Sequence, residues 1–213
     1  MLHDLTEWEG LAVRATDGEV GTVEGFYFDD KRWVIRRLVV DTGQWLRGGS
    51  VVISPGAVKV VPWDSDSLHV CLNLQQLIEA ADIDDRPVSG WLRSTNEVAG
   101  LLTMTTDGPI GTLQSCVFDD ESWAIVYLVM DAANWLPGKR VLISPARIKR
   151  VIWPARELCL DITRQEIRAS PDYTRRLISS RSRLTRPLSA VPAVRYIGIS
   201  GASNDQGWPP HWD

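Results

Sequence analysis

Short runs of apolar and β-branched residues, separated by turn residues, dominate the first 160 positions. TDGEVGTVEGFYFDD (16–30) begins with an Asp-Gly turn and continues with β-forming residues punctuated by glycine. RWVIRRLVVDTG (32–43) is typical of a strand buried on at least one face. VVISP (51–55) ends at a proline, which cannot donate to a continuing ladder. AVKVVPW and LHVCLNL add two more short strands, so the pattern predicts a mainly β fold.

Only two stretches have a helical pattern. LQQLIEAADI (74–83) and TRQEIRASP (163–171) each follow the strands of one region. The second stretch opens with Thr163-x-x-Glu166, a pattern that caps helix N-termini. The sequence therefore predicts one brief helix after each group of strands.

The chain contains an internal duplication. Residues 16–63 align without a gap on 106–153 at a constant offset of 90, with 23 of 48 positions identical. A looser similarity relates LNLQQLIEAA from Leu72 to LDITRQEIRAS from Leu160, and DRPVS (85–89) to TRPLS (185–189). Two domains are predicted, at 1–90 and 95–170, followed by a C-terminal extension at 171–213.

The repeated motifs resemble those of the PRC-barrel family. They are G-x-[IV]-G-x-[VL], then F-D-D, W-x-I, LV-x-D, W-L-x-G and V-x-I-S-P, and the final GWPPHWD is similar to an ending found in some members. The resemblance implies two tandem small PRC-type β-barrels, each followed by a short helix. The same fold occurs in the cytoplasmic domain of the photosynthetic reaction-centre H subunit and at the C-terminus of a ribosome-maturation factor. The sequence shows no counterpart of the membrane-spanning helix of the first or of the RNA-facing domain of the second, so the functions of those two proteins are not expected to transfer directly.

Composition narrows the protein class. No apolar run reaches the roughly 18–20 residues that span a bilayer, and the N-terminal MLHDLTEWEG has no signal-peptide core. A cytoplasmic location is therefore expected, with peripheral association at the inner membrane left open. The three cysteines contain no C-x-x-C pair, so buried, inert thiols are expected, and the three histidines are scattered.

Charge is distributed unevenly along the chain. Residues 1–138 carry 9 basic and 21 acidic side chains, whereas 139–213 carry 14 basic and 6 acidic ones. Three interpretations of the arginine-rich 164–186 segment stay open: a solvated connector, a contact with the acidic first half, or an anionic partner. Nucleic-acid binding is disfavoured because the overall pI is about 5.4.

Paired aspartates recur at Asp29-Asp30 and Asp119-Asp120. Aspartate at a turn accepts hydrogen bonds from amides two residues on, and this interpretation is favoured over a metal or acid–base site. No catalytic residue, cofactor or metal ligand is assigned. An enzyme that uses these aspartates remains the lesser alternative.

Four tryptophans are candidate interaction residues. Trp45 and Trp135 lie in glycine-flanked loops, where the indole can pack under its own barrel or anchor a partner. Trp208 and Trp212 flank a stiff proline pair in GWPPHWD, which predicts that this end docks on a barrel.

These observations lead to one functional hypothesis and one main alternative. The hypothesis is a non-enzymatic tandem PRC-barrel adaptor or scaffold that binds a protein partner in a membrane-associated or photosynthetic electron-transport complex. Pairing of the two units within the chain is expected, and a homodimer stays open. The alternative is a factor associated with the ribosome or with RNA processing.

Overall fold

The computed structural model describes residues 1–46, 49–59, 66–81, 92–132, 136, 138–170 and 173. The elements of the first copy are β1 (Leu2–Asp4), α1 (Leu5–Trp8), β2 (Ala12–Arg14), β3 (Glu19–Asp29), β4 (Val34–Asp41), β5 (Ser50–Ile53), β6 (Val58–Lys59), β7 (Ser67–Val70) and α2 (Leu74–Ala81). Those of the second are β8 (Leu92–Ser94), α3 (Thr95–Val98), β9 (Leu102–Thr105), β10 (Gly108–Asp119), β11 (Ile125–Asp131), β12 (Arg140–Ile143), β13 (Ile148–Ile152), β14 (Glu157–Leu160) and α4 (Arg164–Arg168). Three 3-10 turns lie at Pro55–Ala57, Pro145–Arg147 and Trp153–Ala155. The predicted mainly β character is confirmed.

The two predicted helices, α2 and α4, are both present. Thr163 and Glu166 form the expected capping box at the start of α4, with each side chain bound to the other residue's backbone N–H. Asn73 and Gln76 form the same reciprocal pair at α2. The four-residue helices α1 and α3 are not predicted, because they are too short to show an apolar period.

Each copy contributes most of one mixed sheet. The first sheet has the order β5-β4-β3-β2-β7-β6, and the second has the order β12-β11-β10-β9-β14-β13. The pairs β2–β7 and β9–β14 are parallel, whereas the other pairs are antiparallel. Among the described strands, the two ends of each order do not pair, so closure into two barrels stays a prediction.

The first strand of each copy belongs to the sheet of the other copy. β1 pairs with β10, placing Leu2 opposite Asp119, and β8 pairs with β3, placing Leu92 opposite Asp29. The two exchanges are related by the same offset of 90 residues. The second sheet therefore takes β1 from the segment predicted as the first domain, 1–90, and the first sheet takes β8, which lies between the two segments predicted as domains, 1–90 and 95–170.

One hydrophobic core runs through both sheets. At its centre, Trp8 of the first copy lies edge-on to Phe118, 5.0 Å between ring centroids, and to Trp123, 5.5 Å away. Phe26 of the first copy lies 6.1 Å from Phe118 of the second. The two copies therefore share an apolar core that is continuous with the interior of each sheet.

The constant offset extends beyond residue 153. Thr16 N–H donates to the Leu72 carbonyl, and Thr106 N–H donates to the Ile162 carbonyl. Leu72 is therefore equivalent to Ile162 and not to Leu160, which corrects the looser alignment drawn from the sequence.

Candidate interaction surface

The paired aspartates hold turns and the junction between the copies. The Asp29 carboxylate, 2% exposed, accepts the amides of Lys31 and Arg32, both at 3.0 Å. Asp119 likewise accepts the Ser122 amide at 3.2 Å and its hydroxyl at 2.7 Å. Burial opposes ionisation of Asp119, but these bonds and the Met1 ammonium lower its pKa. The turn interpretation is confirmed for both residues.

Asp30 and Asp120 connect the two copies. Asp30 accepts the Trp153 indole N–H at 3.0 Å and pairs with Arg93, whose guanidinium lies 4.6 Å from the centroid of the Trp153 ring. Asp120 pairs with His3, the counterpart of Arg93, at 3.1 Å. All four aspartates therefore have contacts that stabilise the fold.

A buried polar cluster in the second sheet is not evident from the sequence. Asp4, 2% exposed, accepts the Thr6 amide at 3.0 Å and hydroxyl bonds from Thr6, Ser115 and Tyr173. These residues border a cleft of about 430 Å³. Because Ser115 and Tyr173 lie 111 and 169 positions from Asp4, no local pattern could have predicted the cluster.

The cysteines differ in exposure. Cys116 is buried, and this burial, with the nearby Asp4 carboxylate, raises the pKa of its thiol far above the ordinary range. Such a thiol stays protonated and unreactive. Cys71 is exposed and Cys159 is intermediate, so the expectation of uniformly buried thiols is wrong for Cys71.

Trp45 is the most exposed large apolar side chain in the described part of the chain, at 43%. It lies in the loop between β4 and β5, and its indole N–H donates to the Val20 carbonyl at 2.7 Å. Asp41 accepts the Gly43 amide at 2.8 Å and tightens the start of the same loop. The indole is thus held in one orientation while a large part of its surface faces solvent.

Helix α2 supplies a second exposed apolar group, and its first turn contacts the residues that precede β3. Leu77 is fully buried, whereas its neighbour Ile78 is 36% exposed. Leu74 lies one turn before Ile78 and packs against Gly18, and its amide donates to Asp17 at 2.9 Å. Residues 17–20 therefore contact both α2 and Trp45.

The second copy has arginines at the equivalent helix positions. Leu74 corresponds to Arg164 and Ile78 to Arg168, while the core position Leu77 corresponds to the equally buried Ile167. Arg164 extends over Gly108 and donates to the Pro109 carbonyl at 2.7 Å. The second copy keeps the buried core position of this helix, but the helix surface that is apolar in the first copy is basic in the second.

Exposed carboxylates surround the apolar groups of the first copy. Asp17 and Glu19 lie within the segment 17–20 that contacts α2 and Trp45, and Glu79 follows Ile78. We call the set of Trp45, Leu74 and Ile78, with these three acids, the Trp45 surface. Its chemistry suits an apolar segment that also carries positive charge.

The other candidate tryptophans, Trp135, Trp208 and Trp212, lie outside the described residues, and so does most of 171–213. No group of three or more His, Cys, Asp or Glu side chains suited to a metal ion occurs in the described part of the chain. Within the same residues, no helix combines the length and apolar character needed to cross a membrane. No protein-family model and no curated protein matches this chain.

Proposed function

We propose that this chain is a non-enzymatic tandem PRC-type adaptor that binds a protein partner at the Trp45 surface. The supporting observation is that Trp45 and Leu74, which lies one turn before Ile78, both contact residues 17–20, while Trp45 and Ile78 are the two most exposed large apolar side chains in the described residues. Tryptophan held in place by a hydrogen bond loses little freedom on binding and is enriched at interface hot spots.

The partner chemistry follows from the surroundings of these groups. The site would accept an apolar side chain between Trp45 and α2, and Asp17, Glu19 and Glu79 would attract lysine or arginine beside it. The strand exchange supports a scaffold role, because it gives the surface a rigid base. We extend the proposal to a peripheral assembly at the inner membrane, including photosynthetic complexes, on the strength of the motif resemblance alone.

The test compares the parent chain with Trp45→Ala and Ile78→Arg variants as immobilised baits. Ile78→Arg introduces the residue that the second copy has at this position, so the fold should accept it. Proteins that the parent chain captures are purified, and the Kd of each for the parent and for the variants is measured by calorimetry. Loss of a hot-spot tryptophan reduces the free energy of binding by about 2 kcal/mol or more. Trp45→Ala should therefore raise the Kd of a true partner at least about 30-fold.

Arg168→Ala is the matched control, because it alters the equivalent helix position of the second copy. It should leave the Kd unchanged. A partner that binds all four proteins equally would place the interface elsewhere. Capture of RNA with retention on every variant would instead favour the ribosome-associated alternative.

A further inference from the structure

A row of basic residues crosses three neighbouring strands of the first sheet. His69 on β7 lies opposite Arg14 on β2 and opposite Lys59 on β6. Residues directly opposite one another in a sheet lie side by side on the same face. Since Val13, Leu68 and Val70 are buried and the three basic residues are exposed, the row faces outward.

The row lines a cleft of about 640 Å³. Thr16 and Gly18 form part of its wall, and Glu19, opposite Arg14, closes one end. Ser67 hydrogen-bonds the His69 ring at 3.4 Å and so limits its rotation. The volume falls in the range of small-molecule sites, about 300–1,000 Å³.

Folding does not account for this arrangement. Neighbouring like charges across strands are destabilising, and neither Arg14 nor Lys59 forms an ion pair with a described carboxylate. In the second copy the counterparts of Arg14 and His69 are Met104 and Cys159, and only the lysine persists, as Lys149. The second sheet therefore forms without basic residues at the positions of Arg14 and His69.

We propose that this cleft binds a small organic anion with two or more negative charges, such as a phosphate monoester or a polycarboxylate. Arg14 supplies a planar guanidinium that can donate two parallel hydrogen bonds, and Lys59 supplies a compact ammonium. His69 lies between them as a further donor. Glu19, opposite Arg14, repels anions at that end of the row, so the charged group would lie on the side of Arg14 that faces His69 and Lys59.

The experiment titrates the ¹⁵N-labelled full chain with inorganic phosphate and, separately, with citrate, at ionic strength held constant with chloride. Saturable amide shifts around residues 14, 16, 59 and 69 are expected with at least one anion, and the two arms distinguish phosphoryl from carboxylate chemistry. Shifts that rise linearly without saturation in both arms would overturn the proposal.

Variants make the test specific. Arg14→Met with His69→Cys installs the second copy's residues and should weaken binding at least about tenfold, and Lys59→Gln provides a second, single-site variant. Lys149→Ala, at the equivalent position of the second copy, should bind as the parent does. Equal affinity of the parent and both cleft variants would show an adventitious anion only.

Discussion

Val34 and Ala124, which occupy equivalent positions in the two copies, form an antiparallel bridge that joins the sheets. Next to it, Ile35 N–H donates to the Trp123 carbonyl at 2.8 Å, and Ile125 N–H donates to the Trp33 carbonyl at 2.7 Å. This reciprocity is that of a two-fold axis, so the chain has the internal symmetry of a dimer whose subunits are fused. The exchanged strands β1 and β8 obey the same symmetry.

The first prediction concerns Gly21 and Gly111, which lie at equivalent positions of β3 and β10. A Cβ at Gly21 would lie 1.8 Å from the Asp41 carbonyl oxygen, and one at Gly111 would lie 1.7 Å from that of Asp131. Both glycines also have φ of +154°, which side chains rarely adopt. Alanine at either position should lower the free energy of unfolding by about 3 kcal/mol or more.

Chemical denaturation measures this cost, and Gly25→Ala is the control. Its added Cβ would meet side-chain atoms no closer than 3.5 Å, so a change below about 1 kcal/mol is expected. Similar midpoints for Gly21→Ala and Gly25→Ala would show that β3 and β4 do not approach as described.

The second prediction concerns the buried cluster at Asp4. Asp4→Ser installs the residue of the second copy, Ser94, and leaves the Ser115 and Tyr173 hydroxyls without their acceptor. We expect the free energy of unfolding to fall by about 2–4 kcal/mol, because buried hydrogen bonds to a carboxylate are lost.

A double-mutant cycle with Tyr173→Phe isolates the contact. The second substitution should cost much less in the Asp4→Ser background than in the parent, since the hydroxyl no longer has its partner. Strict additivity would contradict a direct bond between Tyr173 and Asp4.

The third prediction concerns the capping box of α4. The Thr163 amide and then its hydroxyl hydrogen-bond the Glu166 carboxylate and lower its pKa. A depressed carboxyl pKa means that its stabilising effect is present above the ordinary glutamate pKa and is lost as pH falls through the folded value. Carboxyl ¹³C titration should show the depressed pKa, and Thr163→Val should move it back toward the ordinary value.

The first copy supplies the control, because the equivalent box of α2 consists of Asn73 and Gln76. Neither Asn73 nor Gln76 ionises, so the protection of these two amides should change less than that of the Thr163 and Glu166 amides over the pH range in which α4 loosens. Loss of protection at both helices together would assign the effect to the whole fold.

Much of this fold can be predicted from the sequence, because the same local sequence patterns occur in both copies. The strands, the turns at Asp29 and Asp119, and the capping box all follow from neighbouring residues. Trp33 shows a limit, since it falls within the predicted strand 32–43 but lies in the turn before β4, where it and its counterpart Trp123 take left-handed φ of 55° and 58°. Bulky residues rarely adopt that region, and here tertiary packing overrides local preference.

The strand exchange could not be predicted for a different reason. β1 and β8 are equivalent, so either could pair with β3 as far as side-chain pattern is concerned. From the sequence, Asp4 could likewise be recognised only as a cap for α1. Its partner Ser115 lies on β10, which pairs with the exchanged strand β1, and its partner Tyr173 follows α4. The sequence alone does not distinguish Trp45 and Ile78 from core residues, because the exposure of a side chain depends on the assembled fold.

Disulfide trapping in the full chain tests the exchange most directly. Tyr27 and Ser94 are opposite residues of β3 and β8, so the pair Tyr27→Cys with Ser94→Cys should form a disulfide under mild oxidation. Ser94→Cys with Val117→Cys is the matched pair, because Val117 is the counterpart of Tyr27 within the second copy. The exchanged fold predicts that the first pair links and the second does not, as read by mass spectrometry of the digested protein. Efficient linkage of Ser94→Cys to Val117→Cys, with none to Tyr27→Cys, would show that each copy keeps its own first strand.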